Sequence, residues 1–194
     1  MKTEDIRICV IGLGYVGLPL ARLFSTKFPT VGFDMNQARV DALMSGHDAT
    51  MEVDDTLLQE AISQNGFICT TDMEQIRSCN FYVVAVPTPV DRNNHPDLTP
   101  LLGASRTVGQ VISRGDVVVY ESTVYPGVTE EECLPVVEQV SGMKYNADFF
   151  AGYSPERINP GDKQHTVEKI KKVTSGSTPE IARLVDDVYN AVLT

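Results

Sequence analysis

A short apolar run that stops at three spaced glycines constrains this chain more than any other feature. Ile8, Cys9, Val10 and Ile11 make the run, as a strand buried on both faces would. It leads straight into Gly12-Leu13-Gly14-Tyr15-Val16-Gly17, which fits G-x-G-x-x-G, and Leu18 to Phe24 then repeats apolar residues at helical spacing. A second strand-like run, Thr30 to Phe33, ends at Asp34.

Each piece has a physical task. Gly12 permits a tight turn out of the strand. Gly14 has no Cβ, so a pyrophosphate can approach its backbone, and Gly17 lets the helix pack closely on the strand. The helix start offers free N–H groups and partial positive charge to phosphates. Tyr15 and Val16 belong to the same cofactor loop. Asp34, about 20 residues after the first glycine, is placed to accept hydrogen bonds from an adenosine ribose. The ordered set predicts dinucleotide binding, which a bare strand-to-helix turn would not need. A carboxylate at Asp34 repels a 2′-phosphate and so favours NAD over NADP. Arg39 keeps the second open, since an arginine can bind phosphate, although a solvated helix-face arginine fits equally well.

The remaining pattern alternates helices and strands, which predicts an α/β fold: Rossmann-like, doubly wound, mainly parallel, with helices on both faces. Helices are expected from Asn36 to Ser45, from Leu57 to Ser63 with Leu57, Leu58, Ala61 and Ile62 inward, from Asp72 to Arg77, and from a Thr99 cap to Ser113. A Thr129 cap predicts another through Val140, and Thr178-Pro179-Glu180 opens a last one with Ile181, Leu184, Val185, Val188 and Val192 in one stripe. Strands are expected at Phe67–Thr70, Phe81–Val86, Asp116–Tyr120, Ala147–Tyr153 and Lys169–Ser175.

Strand ends in such a sheet carry the ligands. Thr88 lies between Pro87 and Pro89 just past one strand, which makes it a cofactor-side candidate rather than an ordinary loop threonine. Thr123 lies past the next, and Glu156 past a third.

Composition excludes several classes. Sixteen basic against 26 acidic residues give a net charge of −10, unlike a nucleic-acid-binding surface. There is no run of 18 apolar residues for a membrane span. The N-terminus enters the first strand directly, and a cytoplasmic location is expected. Cys9, Cys69, Cys79 and Cys133 form no C-x-x-C pair and have no adjacent His cluster, so no metal site is expected; Cys9 and Cys69 read as core residues, and Cys79 at a strand entrance and Cys133 on a helix are not expected to be nucleophiles.

Four motifs now occur in order: Gly12-Leu13-Gly14-Tyr15-Val16-Gly17-Leu18-Pro19, Val86-Pro87-Thr88-Pro89, Glu121-Ser122-Thr123-Val124-Tyr125-Pro126-Gly127 and Ser154-Pro155-Glu156-Arg157. Together they resemble the N-terminal NAD-binding domain of the UDP-glucose/GDP-mannose dehydrogenase family. The stretch SPERINPGDKQHT and the later IKKVTSGST are similar to its UDP-N-acetylhexosamine 6-dehydrogenase branch, of the Vi-antigen and capsule-precursor type.

The resemblance implies oxidation of a sugar's carbon-six alcohol to a carboxylate by two hydride transfers to NAD, with a cysteine holding the intermediate stage as a thioester. It implies that Thr123 orients the catalytic water near the nicotinamide, that Glu156 is its acid/base, that Thr88 contacts cofactor and that Arg39 meets the adenosine ribose. Glu156 as a structural carboxylate paired with Arg157 stays open, and His165 receives no role. A second glutamate of the UDP-glucose branch is replaced here by Pro160. The family's cysteine, lysine and asparagine lie in segments this sequence does not contain, so the chain alone is expected to bind NAD without turnover. The expected division is residues 1–178 as the NAD-binding domain and 179–194 as a helix leading to a central helix and substrate domain. The expected partners are a UDP-sugar and, for the full protein, a second copy. Two alternatives remain: an enzyme of the UDP-glucose or GDP-mannose branch, and a non-catalytic NAD-sensing module.

Overall fold

The computed structural model describes residues 1–90, 92, 95–156 and 172–193. Its strands are β1 (Ile8–Ile11), β2 (Thr30–Phe33), β3 (Ile68–Thr70), β4 (Phe81–Val84), β5 (Val117–Tyr120), β6 (Phe150–Tyr153) and β7 (Ser175–Gly176). They lie in the order β3-β2-β1-β4-β5-β6-β7. All neighbours are parallel except β7, which runs antiparallel to β6.

Two apolar cores follow from the two-residue period of a strand. Ile8, Val10, Phe81, Val83, Val117 and Val119 face one core, while Cys9, Ile11, Tyr82, Val84, Val118 and Tyr120 face the other. The first is covered by α1 (Gly17–Ser25), α2 (Gln37–Met44), α3 (Asp55–Asn65) and α7 (Pro179–Asn190); the second by α4 (Met73–Ile76), α5 (Thr99–Val111) and α6 (Leu134–Ser141). The doubly wound α/β expectation therefore holds. So does the last helix: Thr178 caps it by accepting from the Ile181 N–H, and Ile181, Leu184, Val185 and Val188 are buried. Tyr189, outside the expected stripe, is buried with them.

Several local expectations need correcting. Leu57 is 41% exposed, because α3 starts two residues earlier on an Asp54 cap and turns only Leu58 and Ala61 fully inward. Asp97, not Thr99, supplies the acceptor at the start of α5, taking the Thr99 N–H at 2.9 Å. Thr129 does not cap a helix. It is buried at the start of a π turn, Thr129–Cys133, that precedes α6. Pro135 explains the wide turn: it has no N–H to give back along the chain, so regular bonding stops there. Strand β4 ends at Val84 instead of Val86, and β6 begins at Phe150 instead of Ala147. The expected strand from Lys169 lies partly outside the described residues, and its described end contributes β7.

The chain leaves β1 toward β2 on one side and returns as β4 on the other. This makes the β1/β4 boundary the topological switch point, where ligands bind beyond the strand ends. Gly12 and Ala85 leave those two strands side by side, so closely that a Cβ added at Gly12 would lie 2.9 Å from the Ala85 carbonyl oxygen.

Candidate functional site

The glycine loop is held by close packing. Gly12 has φ +92°, a conformation that favours a residue without Cβ. A Cβ on Gly17 would sit 1.8 Å from the Gly12 carbonyl oxygen, so α1 can approach the loop only through a glycine. At Gly14 an added Cβ would meet nothing within 4 Å. The protein itself thus has no packing reason for glycine there, whereas a ligand lying on the backbone does. This open cradle at a helix start fits a pyrophosphate.

Asp34 and Arg39 grip the same loop residue from opposite sides. Asp34 Oδ2 accepts from the Leu13 N–H at 2.9 Å, and Oδ1 accepts from the Asn36 N–H at 2.9 Å. Arg39 donates through Nε and Nη2 to the Leu13 carbonyl at 3.0 and 2.9 Å. Arg39 is therefore no solvated helix-face residue: its side chain is 12% exposed and ion-pairs with Asp48 at 2.8 Å.

Asp48 was not legible as a site residue. It is fully buried and gathers the turn after α2, accepting from the N–H groups of Thr50, Glu52 and Val53 and from the Thr50 hydroxyl. Burial alone would push its carboxyl up. The Thr50 hydroxyl, the Val53 N–H and Arg39 outweigh that and hold it below the ordinary aspartate value.

At the other end of the loop, Gly14, Tyr15, Val16, Thr88, Thr123 and Glu156 line one cavity of about 150 Å³. Sequence spacing had drawn these residues from four separate segments, and the sheet brings them together. Hydroxyls lace the strand exits. Thr88 donates to the Thr123 carbonyl at 2.9 Å, Ser122 to the Val86 carbonyl at 2.6 Å, and Thr123 to the Glu156 carbonyl at 3.2 Å. Tyr15 lines the same cavity and is 45% exposed.

Glu156 and Glu121, both in the lining of that cavity, join Lys172 in a buried charge cluster that the sequence reading missed. Lys172 ion-pairs with Glu121 and lies 3.2 Å from Glu156 Oε2 and 3.5 Å from the Ser154 carbonyl. Its side chain is 3% exposed, and those of Glu121 and Glu156 are 0% and 8%. Tyr189 on α7 donates its hydroxyl to Glu121. Burial pushes the Glu121 carboxyl up, and Lys172 and Tyr189 only partly pull it back. The available signal was Glu121 itself, a carboxylate straight after the apolar run VVVY of a central strand. Such a group needs a buried partner. Arg157, Pro160 and His165 lie outside the described residues.

All four cysteines are buried, and none lines the cavity. Burial raises the Cys69 thiol to about 12 and Cys133 to about 11. Cys79, lowered through its hydrogen bond with Cys9, sits before β4, at the opposite end of the strands from the cavity. Among the described residues no helix is long and apolar enough to cross a membrane.

Comparison with known proteins identifies the family. Residues 6–193 match the model of the UDP-glucose/GDP-mannose dehydrogenase family, NAD binding domain. The chain is 57% identical over 191 residues to UDP-N-acetyl-D-glucosamine 6-dehydrogenase of Pseudomonas aeruginosa, covering 98% of this chain and 44% of that protein. It is 53% identical over 190 residues to the Salmonella typhi enzyme of the same name, again with 98% and 44% covered. The solved structure of UDP-D-ManNAc dehydrogenase from Pyrococcus horikoshii superposes with a TM-score of 0.88 at 32% identity, covering 97% of this chain and 45% of that one. The chain thus spans under half the length of these relatives. With residues 6–193 matched, nearly the whole sequence, the chain belongs to the UDP-glucose/GDP-mannose dehydrogenase family as an NAD-binding domain.

Proposed function

We propose that this domain serves a nucleotide-sugar dehydrogenase that oxidises the carbon-six alcohol of a UDP-N-acetylhexosamine to a uronate, as a cytoplasmic homodimer in its full form. The observation that carries the reading is the convergence of Thr88, Thr123 and Glu156 on one cavity beside the glycine loop. The substrate branch is supported by the named relatives above 50% identity.

In this reading Gly12, Gly14, Tyr15, Val16 and Gly17 seat the pyrophosphate, and Asp34 takes the adenosine ribose with Arg39 bracing the loop. Thr88 and Thr123 flank the nicotinamide end. NAD, when bound, accepts the hydride from the sugar carbon. Thr123 donates to a carbonyl and still has oxygen lone pairs to accept from a water. Glu156 takes that water's proton on a carboxylate oxygen, and Lys172 holds the same carboxylate in place at 3.2 Å. The cysteine step falls to residues other than the four buried cysteines.

Two measurements test this. Titration calorimetry should show NAD binding to the chain, weakened by about 1–3 kcal/mol in Asp34→Ala, the scale of hydrogen bonds to a charged group. An unchanged dissociation constant would remove Asp34 from the ribose site. The full-length protein should release NADH with a UDP-N-acetylhexosamine but not with UDP-glucose, and this chain alone should release none. Steady NADH production by the chain would overturn the assignment of the nucleophile elsewhere.

A further inference from the structure

We infer that Asp48 determines which dinucleotide this site accepts, by holding the Arg39 guanidinium against the glycine loop and away from a 2′-phosphate. The inference rests on the reading of the loop as an NAD site. The sequence carries conflicting indications: Asp34 is the acid of an NAD site, while Arg39 stands close behind it, where an arginine can accommodate the extra phosphate of NADP. The geometry resolves the conflict. Nε and Nη2 of Arg39 are spent on the Leu13 carbonyl, Nη2 also lies 3.3 Å from the Thr50 hydroxyl, and Nη1 lies 2.8 Å from Asp48.

Asp48 is a fixed anchor. Three backbone N–H groups and one hydroxyl converge on its two oxygens, so it cannot swing out with the arginine. A guanidinium is a planar fork whose donors work together. With one edge on Leu13 and the other on Asp48, turning it toward a ribose 2′ position would break both holds at once. Without the Asp48 charge, a neutral carbonyl and a hydroxyl remain. A phosphate dianion then competes well for the fork, because charge-assisted bidentate contacts are the stronger kind.

The test is the pair of dissociation constants for NAD and NADP, measured by calorimetry on the wild-type chain, Arg39→Gln, Asp48→Asn and the double variant, each checked for fold by circular dichroism. Arg39→Gln should weaken both dinucleotides by the same factor and leave their ratio unchanged. Asp48→Asn should move the ratio toward NADP by about tenfold, and the double variant should return it to the wild-type value. A folded Asp48→Asn with an unshifted ratio overturns the role of Asp48 while leaving the NAD site intact. So does a shift that persists in the double variant, which would come from removed charge alone. If Asp48→Asn loses its fold, the Arg39→Gln arm decides: selective loss of NADP means Arg39 already serves the phosphate. A wild-type chain that binds neither dinucleotide overturns the site itself.

Discussion

Gly14→Ala should weaken NAD binding sharply and leave the fold untouched, whereas Gly17→Ala should damage both. The two glycines are three residues apart but face different neighbours. A Cβ at Gly14 enters space that no protein atom occupies within 4 Å, at a backbone angle any residue can adopt. Its melting temperature should match the wild type, while the methyl displaces the pyrophosphate and weakens NAD by about 100-fold, or roughly 2.7 kcal/mol. At Gly17 the Cβ would be 1.8 Å from a backbone oxygen, which cannot be relieved by a rotamer change. Helix α1 must lift from β1, at about 1–3 kcal/mol of stability in addition to the lost binding. Calorimetry and thermal denaturation on both variants separate the effects. Wild-type NAD affinity in Gly14→Ala would show that the cofactor does not run along this backbone.

Lys172→Met should destabilise the fold strongly. Methionine fills similar volume but leaves Glu121 and Glu156 facing each other in a buried site without their shared cation. Removing one partner of a buried ion pair costs about 3–5 kcal/mol. For a chain of this size that lowers the melting temperature by about 10 °C or more. Adding Glu121→Gln should recover much of the loss, because the amide needs no counter-charge and can still accept from Tyr189. A double-mutant cycle by thermal denaturation measures the coupling. A Lys172→Met chain that melts like the wild type would mean that the lysine is not held in this cluster.

Residues whose role is set by near neighbours were legible in the sequence. Ile8–Ile11, the three glycines and Asp34 act within one βαβ unit, so spacing alone located them. Thr88 was marked by its place just after a strand, and Thr123 and Glu156 by the motifs that resemble the family, although only the sheet order shows that the three share a cavity. The misses have a different physical origin. Leu57 depends on where α3 starts, which a cap one residue either way can shift. The wide turn before α6 depends on what Pro135 withholds from the preceding turn. Lys172 and Asp48 are charged residues in polar stretches, indistinguishable by composition from solvated ones. Lys172 is buried by Glu121, 51 residues away and just past β5, and Asp48 by the fold of its own turn against Arg39 on the preceding helix; no apolar periodicity records either.

The double grip on Leu13 has a further thermodynamic consequence. With its N–H on Asp34 and its C=O on Arg39, the peptide at the centre of the loop is oriented before any ligand arrives. Fixing a backbone residue costs about 1–2 kcal/mol of conformational entropy, and here that loss falls on folding instead of on association. Cofactor capture by such a preset loop needs little rearrangement, so exchange of spent for fresh dinucleotide is set by dissociation of the ligand rather than by reforming its seat.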